Sequence, residues 1–390
     1  MITPVMPTYA RSNLAFERGE GVYLFTTDGK RYLDFGSGIA VSALGHSHPK
    51  LVQALKDQAE KLWHTSNLYQ IPGQVRLAER LVDNSFADTA FFCNSGAEAL
   101  ECAIKTARKF QSHNGHPERY RIITAEGAFH GRTLATLAAG GQKKHLDGFG
   151  PAVDGFDQVS FGNLNELRAA ITAETAGILV EPVQGESGIR PMGQDFLKGL
   201  RAAADENGLM LIFDEVQTGM GRTGHLFAYQ GSGVAPDIMA LAKGLGGGFP
   251  IGACLATEQA ASGMAAGSHG STFGGNYLAA AAANAVLDVL LEKDFLEGVA
   301  QRGAYLIDKV SKLAKAYPKV IENARGEGLL IGLKCAVTNS DLVAKAVEKG
   351  LLTVPAGDNV VRLLPPLIVS EREIDEAVEI LDACCQDLNS

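Results

Sequence analysis

The chain carries two short apolar stretches that each run into chemically useful residues. The first is LMLIF (209–213), followed by DEVQ (214–217), and the second is IMALA (238–242), followed by KGLGGGFP (243–250). Short apolar runs bounded by turn residues are typical of buried strands. An acid at the end of one strand and an amine just beyond the next can lie at opposite ends of one small aromatic ring. That arrangement suits pyridoxal phosphate, whose aldehyde forms a Schiff base with an amine and whose ring nitrogen pairs with an acid.

Composition is typical of an ordinary globular protein with a sizeable core, because 46% of the 390 residues are hydrophobic and 20% are charged. The length predicts two or three domains. The net charge of -9 is spread along the chain, which disfavours nucleic acid as a partner and provides no basic patch for a membrane surface. We expect no membrane span or signal peptide. The six cysteines include no Cys-x-x-Cys pair, so we expect free thiols and a cytoplasmic protein.

Apolar strands alternate with helices between Phe91 and Met264. Such alternation predicts an α/β fold with a mainly parallel sheet covered on both faces. The expected strands are residues 90–93, 121–125, 177–180, 210–213 and 251–256, and the expected helices are 49–62, 97–110 and 276–291. Asp28-Gly29 between two alternating runs predicts a hairpin. The remainder (328–335, 351–354, 360–363 and a closing helix) indicates a smaller α+β unit.

A possible anion site lies at Asn94-Ser95-Gly96-Ala97, where a predicted strand passes into a predicted helix. Ser95 suits the N-cap, Gly96 allows close approach of a ligand, and free N–H groups at a helix start favour an anion. By itself the segment is more often a plain helix cap. Together with Lys243 and Asp214 it becomes a plausible phosphate cup.

Other candidate residues follow strands or lie among apolar residues. Phe129 could stack on the cofactor ring or belong to the core, and Arg132 could hold a carboxylate through two hydrogen bonds or form a surface ion pair. Glu186 is either a turn residue or a site residue. Arg362 lies among apolar residues and prolines, so we expect it to have a buried carboxylate partner.

Two other motifs point to different chemistry and are disfavoured. Gly219-Met-Gly221-Arg-Thr-Gly224 matches the dinucleotide fingerprint and so keeps an NAD-dependent oxidoreductase as a remote alternative. However, no clear helix follows it and no acid lies about twenty residues further on. His46 and His48 lack a third ligand at a useful spacing, so we predict no metal site.

These segments together resemble the class III aminotransferases, and the resemblance extends from Gly21 to about Pro366. It is carried most clearly by FGSGIAVSALGHSHP (35–49), LWHTSN (62–67) and GSHGSTFGGN (267–276). The resemblance implies the type I pyridoxal-phosphate fold, with a seven-stranded sheet flanked by helices. It further implies a large cofactor domain at 51–280, a small α+β domain at 281–390 and an N-terminal segment (1–50) that joins the small domain.

The resemblance also implies a role for each candidate residue. Lys243 would be the Schiff-base lysine, Asp214 the partner of the ring nitrogen, and Gln217 the partner of the ring hydroxyl, while Arg132 and Arg362 would bind substrate carboxylates. Val216 and Phe129 would sandwich the ring, Ser95, Gly96 and Ala97 would hold the phosphate, and Glu186 would neutralise Arg362. Ser271 and Thr272 would reach the site of a neighbouring subunit, Thr272 at its phosphate, so the resemblance implies a homodimer with shared active sites.

Within the family the chain is most similar to members whose amine donor is N2-acetylornithine. The resemblance therefore implies transfer of the terminal amino group to 2-oxoglutarate, which would give N-acetylglutamate 5-semialdehyde and glutamate in arginine biosynthesis. Ornithine δ-aminotransferases typically have tyrosine where this chain has Ile39, which favours an acylated α-amino group. Succinylornithine, succinyl-diaminopimelate, ornithine and 4-aminobutyrate stay open as alternative donors.

Overall fold

The computed structural model describes residues 4–389. We expect no signal peptide at the N-terminus, and the first three residues of that stretch lie outside the described residues. The strands in chain order are β1 (Phe16–Glu20), β2 (Tyr23–Thr26), β3 (Arg31–Asp34), β4 (Thr89–Cys93), β5 (Arg121–Ala125), β6 (Phe156–Val159), β7 (Thr175–Val180), β8 (Val183–Gln184), β9 (Arg190–Pro191), β10 (Met210–Asp214), β11 (Ile238–Leu241), β12 (Gly252–Ala256), β13 (Ile321–Glu327), β14 (Leu330–Cys335), β15 (Leu351–Leu352), β16 (Val354–Ala356) and β17 (Val360–Leu363).

The helices surround these strands, and a 3₁₀ turn covers Lys243–Leu245. They are α1 (Ser37–Ala40), α2 (Pro49–Ala59), α3 (Pro72–Asp83), α4 (Gly96–His113), α5 (Leu134–Gly140), α6 (Lys143–Leu146), α7 (Leu164–Ala170), α8 (Gln194–Asn207), α9 (Ala228–Ser232), α10 (Glu258–Ala261), α11 (Tyr277–Leu290), α12 (Phe295–Ala316), α13 (Asn339–Glu348) and α14 (Glu371–Leu388). Within residues 4–389, none of them combines the length and apolar character needed to cross a bilayer.

The central sheet has seven strands in the order β4-β12-β11-β10-β7-β5-β6, and this confirms the predicted α/β fold. Its pairs are parallel except for those of β12, which runs antiparallel to both β11 and β4. Because β12 opposes both neighbours, β4 has the same direction as the other five strands. The carboxyl ends of β4, β5, β7, β10 and β11 therefore meet at one edge, where ligands of open α/β sheets usually bind.

Sequence patterns missed one strand of this sheet and misjudged the length of several elements. β6 has the sequence Phe-Asp-Gln-Val, and its two polar residues interrupt the continuous apolar run that predicts a buried strand. The helix expected at 49–62 ends at Ala59, whereas the helix expected at 97–110 extends from Gly96 to His113. Helix ends depend on capping and packing that periodicity alone does not report.

The remaining strands connect the two ends of the chain. β2 and β3 form the hairpin predicted from Asp28-Gly29, and β3 pairs in parallel with β15 from the C-terminal part. β13, β14, β17 and β16 form an antiparallel sheet. The single strand expected at 351–354 is wrong, because Thr353 separates β15 from β16, which belong to different sheets. The domain boundaries at 50 and 280 stay predictions.

Candidate active site

Five strand ends of the central sheet surround one cavity of about 340 Å³. Segments that follow β4, β5, β7, β10 and β11 all contribute to its wall. The structure thereby brings together nine of the residues that the sequence singled out: Ser95, Gly96, Ala97, Phe129, Glu186, Asp214, Val216, Gln217 and Lys243. They come from positions that are far apart in the chain, so they meet only because the strands are parallel.

Lys243 enters this cavity from a strained backbone position. Its φ angle is +46°, a left-handed conformation that a non-glycine residue seldom adopts and that costs on the order of 1 kcal/mol or more. Burial lowers the pKa of its amine, while the carboxylates of Glu186 and Asp214 act in the opposite direction. Within the described chain the amine has no hydrogen-bond acceptor, so it is available to a bound group.

A buried cluster of two acids and one imidazole forms another part of the wall. Asp214 Oδ2 lies 2.8 Å from His130 Nδ1, and Asp214 Oδ1 accepts a hydrogen bond from the Val216 N–H at 3.0 Å. Glu181 accepts hydrogen bonds from the N–H groups of Phe129 and Gly185. Burial, together with the nearby charge of Asp214, raises the pKa of Glu181 to about 7.

Local sequence patterns assign no role to His130 and Glu181, although both lie close to candidate residues in the chain. His130 directly follows Phe129, and Glu181 directly follows β7. The available signal was position: each comes after a strand of the parallel sheet, as the recognised candidates do. The contact of His130 with Asp214, and the position of Glu181 close enough to feel its charge, depend on the order of β5, β7 and β10 in the sheet, which local patterns do not reveal.

The start of α4 forms an anion cup beside the cavity. Ser95 accepts the Glu98 N–H with its hydroxyl at 3.2 Å, whereas the N–H groups of Gly96 and Ala97 meet no acceptor within the described residues. A Cβ at Gly96 would lie 2.8 Å from Val216 Cγ1, so only glycine fits there. Free N–H groups, the positive end of a long helix and a glycine contact fit a phosphate group.

Glu186, which lines the cavity, forms a bidentate ion pair with Arg362. Arg362 is 1% exposed, and its two terminal nitrogens lie 2.7 and 3.2 Å from the Glu186 carboxylate oxygens. Its Nη1 also donates to Gln217 Oε1 at 3.4 Å. Burial alone would raise the pKa of Glu186, but the guanidinium outweighs it and lowers that pKa. The expected carboxylate partner of Arg362 is therefore present.

Arg132 lies in an adjoining cavity of about 580 Å³, which shares Phe129, Glu186 and Lys243 with the first. Its guanidinium lies 5.5 Å from the centre of the Phe129 ring. It is exposed, and no carboxylate within the described residues lies in salt-bridge range. Ile39 also lines this outer cavity. Among the described residues Arg132 is thus an unpaired cation, and it lines a cavity to which Lys243 also contributes.

Ser271 and Thr272 lie outside both cavities within the same chain. They line a separate cavity of about 1020 Å³, together with Phe91 and Leu68. Ser271 Oγ nevertheless lies 3.2 Å from the Asn94 side-chain nitrogen, and Asn94 belongs to the wall of the first cavity. The two residues are therefore next to the anion cup on its outer side.

The first cavity fits pyridoxal phosphate on three observations of this structure. The glycine-lined cup offers two free N–H groups to a phosphate, Lys243 offers a free amine to an aldehyde, and Asp214 offers a buried carboxylate to a ring nitrogen. Within residues 4–389, no group of three or more His, Cys, Asp or Glu side chains could hold a metal ion. The arrangement suits chemistry in which one amine moves protons beside an electron-withdrawing ring.

Comparison with known proteins agrees with this geometry. Residues 6–385 match the family described as aminotransferase class-III. The chain is 60% identical to an acetylornithine aminotransferase from Agrobacterium fabrum (strain C58 / ATCC 33970), over 99% of this chain and 97% of that protein.

Two solved structures share the fold over nearly the whole chain. N-acetylornithine aminotransferase from Stenotrophomonas maltophilia K279a is 37% identical, with a TM-score of 0.85 over 97% of both chains. Ornithine aminotransferase from Toxoplasma gondii is 30% identical, with a TM-score of 0.94 over 99% of this chain and 93% of that one, and its crystals held pyridoxal phosphate at partial occupancy in the active site.

The buried carboxyl of Glu181 predicts a specific pH dependence of stability. Its pKa in the folded protein is about 7, against 4.5 for an ordinary glutamate, so the folded state holds a proton that the unfolded state releases between these values. Stability from this group is therefore present at low pH and is lost as the pH rises towards 7. Between about pH 5 and pH 8 this group should lower the free energy of unfolding of the wild type by on the order of 1–3 kcal/mol. Glutamine at position 181 should abolish that decrease.

The measurement is the free energy of unfolding against pH for the wild type and Glu181→Gln. Glu379→Gln, at an exposed position on α14, is the matched control and should keep the wild-type slope. Identical slopes in the wild type and Glu181→Gln would contradict the buried, protonated carboxyl.

Proposed function

The chain belongs to the class III aminotransferases, and we propose that it moves the terminal amino group of N2-acetylornithine to 2-oxoglutarate. The products are N-acetylglutamate 5-semialdehyde and glutamate, the pathway is arginine biosynthesis, and the compartment is the cytoplasm. The identity of 60% over nearly all of both chains to a protein named for acetylornithine supports this donor. Pyridoxal phosphate is the cofactor of the family.

The observation that carries the proposal is the unequal state of two arginines near Lys243. Arg362 is neutralised by Glu186, while Arg132 has no carboxylate partner within the described part of the chain. Glutamate and 2-oxoglutarate have two carboxylates, but acetylornithine has one. Arg132 is available to one carboxylate of either substrate, and Arg362 becomes available to a second carboxylate when Glu186 moves away. The site can therefore bind both kinds of substrate.

Ornithine is the second candidate donor, supported by the high TM-score to an ornithine aminotransferase. Shape alone does not distinguish donors, because one fold accommodates several substrates. Ile39, which is 39% exposed in the outer cavity, offers only apolar contact to the far end of the donor. Ile39 has no polar group to pair with the charged α-amino group of ornithine. The acetylated amino group of acetylornithine is neutral and needs no such partner.

Each side chain has a distinct task in the proposed mechanism. When bound, pyridoxal phosphate supplies an aldehyde that carries the amino group and a ring that withdraws electrons from the substrate carbon. Gly96 and Ala97 hold its phosphate through N–H groups, and Phe129 and Val216 enclose the ring. Asp214 keeps the ring nitrogen protonated, and its own orientation is held by His130.

Proton transfer is assigned to Lys243. Burial lowers its pKa, which favours the uncharged amine that a base requires. Arg132 binds the carboxylate distant from the reacting amine. Arg362 binds the α-carboxylate of glutamate after Glu186 moves aside, and it returns to Glu186 for the donor with one carboxylate.

We further propose a homodimer in which Ser271 and Thr272 complete the site of the partner. Large apolar side chains lie exposed beside these residues: Trp63 (63%), Leu68 (88%), Tyr69 (69%), Val75 (49%) and Phe273 (58%). Contiguous exposed apolar surface of this kind marks an interface. A second copy on this face would come next to Asn94, at the outer side of the anion cup.

Lys243→Ala should abolish transamination. The variant loses the amine assigned to proton transfer, so turnover should fall by a factor of about 1,000 or more. Steady-state rates with acetylornithine and 2-oxoglutarate measure this, and the absorbance spectrum should lose the band of lysine-bound cofactor. Lys143→Ala, at an exposed position in α6, is the control; wild-type turnover in Lys243→Ala would rule out the mechanism.

Arg362→Ala should affect the two half-reactions unequally. The glutamate half-reaction should slow by about 100-fold or more, because the α-carboxylate loses a buried bidentate partner. The acetylornithine half-reaction should change by less than about tenfold, since that substrate uses Arg132. Single-turnover absorbance measurements separate the two, with exposed Arg372→Ala as control; equal losses would refute the exchange between Glu186 and substrate.

Leu68→Glu should disrupt the proposed dimer. A charge at the most exposed apolar position of the patch would have to be desolvated at the interface. Sedimentation velocity should show a shift from dimer to monomer, accompanied by weaker retention of the cofactor. Val153→Glu, at an exposed apolar residue away from the patch, should stay dimeric. A wild-type protein that sediments as a monomer would sink the proposal.

A further inference from the structure

The glycine-rich segment Gly219–Gly224, which first suggested dinucleotide binding, has no part in the cavity wall. It follows directly on Asp214, Val216 and Gln217, which do line the cavity. The segment is a tight turn in which Met220 (φ +56°), Gly221 (φ +89°) and Gly224 (φ +91°) are left-handed. In space, the turn connects the proposed cofactor contacts with residues of the C-terminal part of the chain.

At the centre of this turn lies Arg222, a buried cation without an acidic partner. It is 2% exposed, and within residues 4–389 no carboxylate lies in salt-bridge range. Burial lowers the pKa of its guanidinium to about 9. Its Nη1 donates instead to the backbone carbonyls of Leu329, at 3.2 Å, and Pro365. Burying a cation against neutral acceptors costs free energy, so we expect this contact to have a role that compensates for the loss of stability.

The two carbonyls lie just outside the ends of two paired strands. Leu329 directly precedes β14, and Pro365 lies two residues after β17. β14 and β17 are antiparallel neighbours, with Gly332 opposite Arg362. Arg222 therefore holds both strands at the same end of the pair, close to the residue that carries the proposed carboxylate-binding guanidinium.

The backbone of the turn packs equally closely on the same strand pair. The Arg222 carbonyl accepts the Leu329 N–H at 3.0 Å. A Cβ at Gly328, just before β14, would lie 2.4 Å from the Thr223 carbonyl carbon. Such close approach leaves little freedom between the turn and β14, so a shift of one would be transmitted to the other.

We propose that Arg222 is a positioning residue that sets the location of Arg362 relative to the cofactor-binding segment. Gln217 lies in that segment and accepts a hydrogen bond from Arg362 at 3.4 Å, so the two ends of the link meet in the site. The inference rests on the proposed function in one respect, namely that Arg362 binds a substrate carboxylate. Its specific consequence is that Arg222 affects dicarboxylate substrates and leaves the monocarboxylate donor little changed.

Three variants test this role. Arg222→Met removes both hydrogen bonds while it keeps most of the buried volume. Arg222→Lys keeps the charge, but its side chain is shorter and its ammonium group ends before the position of Nη1, which donates to both carbonyls. Arg302→Met is the matched control. Arg302 on α12 is half-buried and donates to the carbonyl of Leu367, at 2.9 Å, in the same loop but without contact to the β14 and β17 ends.

Binding of glutarate, an unreactive dicarboxylate, is measured by calorimetry on the cofactor-loaded protein, alongside single-turnover rates with acetylornithine and the melting temperature. Arg222→Met should weaken glutarate binding and raise KM for 2-oxoglutarate by about tenfold to 100-fold, as expected for a displaced binding group. Arg222→Lys should lie between this variant and the wild type. In both Arg222 variants the single-turnover rate with acetylornithine should stay within about threefold of the wild-type rate.

The control separates positioning from stability. Arg302→Met should lower the melting temperature without weakening glutarate binding. Equal losses for glutarate and acetylornithine, or glutarate affinities that simply follow the melting temperature across all three variants, would overturn the proposal. If Arg222→Met fails to fold, Arg222→Lys against Arg302→Met decides. Should acetylornithine not be the donor, glutarate binding would still report on Arg222, so the two hypotheses fail separately.

Discussion

The common direction of five strands is the constraint on which the site depends. β4, β5, β7, β10 and β11 end at one edge of the sheet because β12, the antiparallel member, lies between two strands of like direction. Every cavity residue from Ser95 to Lys243 follows one of those ends. Reversal of any one strand would move its terminal segment to the opposite edge, about 15–20 Å away for strands of this length.

Buried charge is distributed in three different ways around that edge. Asp214 is held by an imidazole, Glu186 is paired with a guanidinium, and Arg222 is satisfied only by carbonyl oxygens. In the proposed mechanism the first arrangement would orient an acid towards a ring nitrogen, and the second would open when a substrate carboxylate competes. The third cannot exchange its partners, because they belong to the backbone. A replaceable partner suits a binding group, and a fixed one suits a support.

The choice of substrate is decided at a finer level than the fold. The inner cavity contains the residues to which the proposed mechanism assigns the cofactor, whereas the outer cavity contains Ile39, Arg132 and Phe149. Ile39 lies in a left-handed turn with Ser37 and Ala40 at positive φ, and its side chain lines the outer cavity. Under the proposed function, side chains of the outer cavity, and not the arrangement of strands, would distinguish an acylated donor from a free one.

The sequence by itself determined the features that depend on neighbouring residues. Continuous apolar runs predicted the buried strands, Ser95 predicted the cap of α4, and Asp28-Gly29 predicted a hairpin, because strand burial, capping and turn geometry are local properties. The tertiary structure alone decided that His130 contacts Asp214 across 84 positions and that Arg222 holds the end where β14 and β17 pair. It also supplied the geometry of the Glu186–Arg362 pair, across 176 positions, which the family resemblance had implied. Those contacts depend on strand order and on the close packing of two parts of the chain, and no local pattern encodes either one.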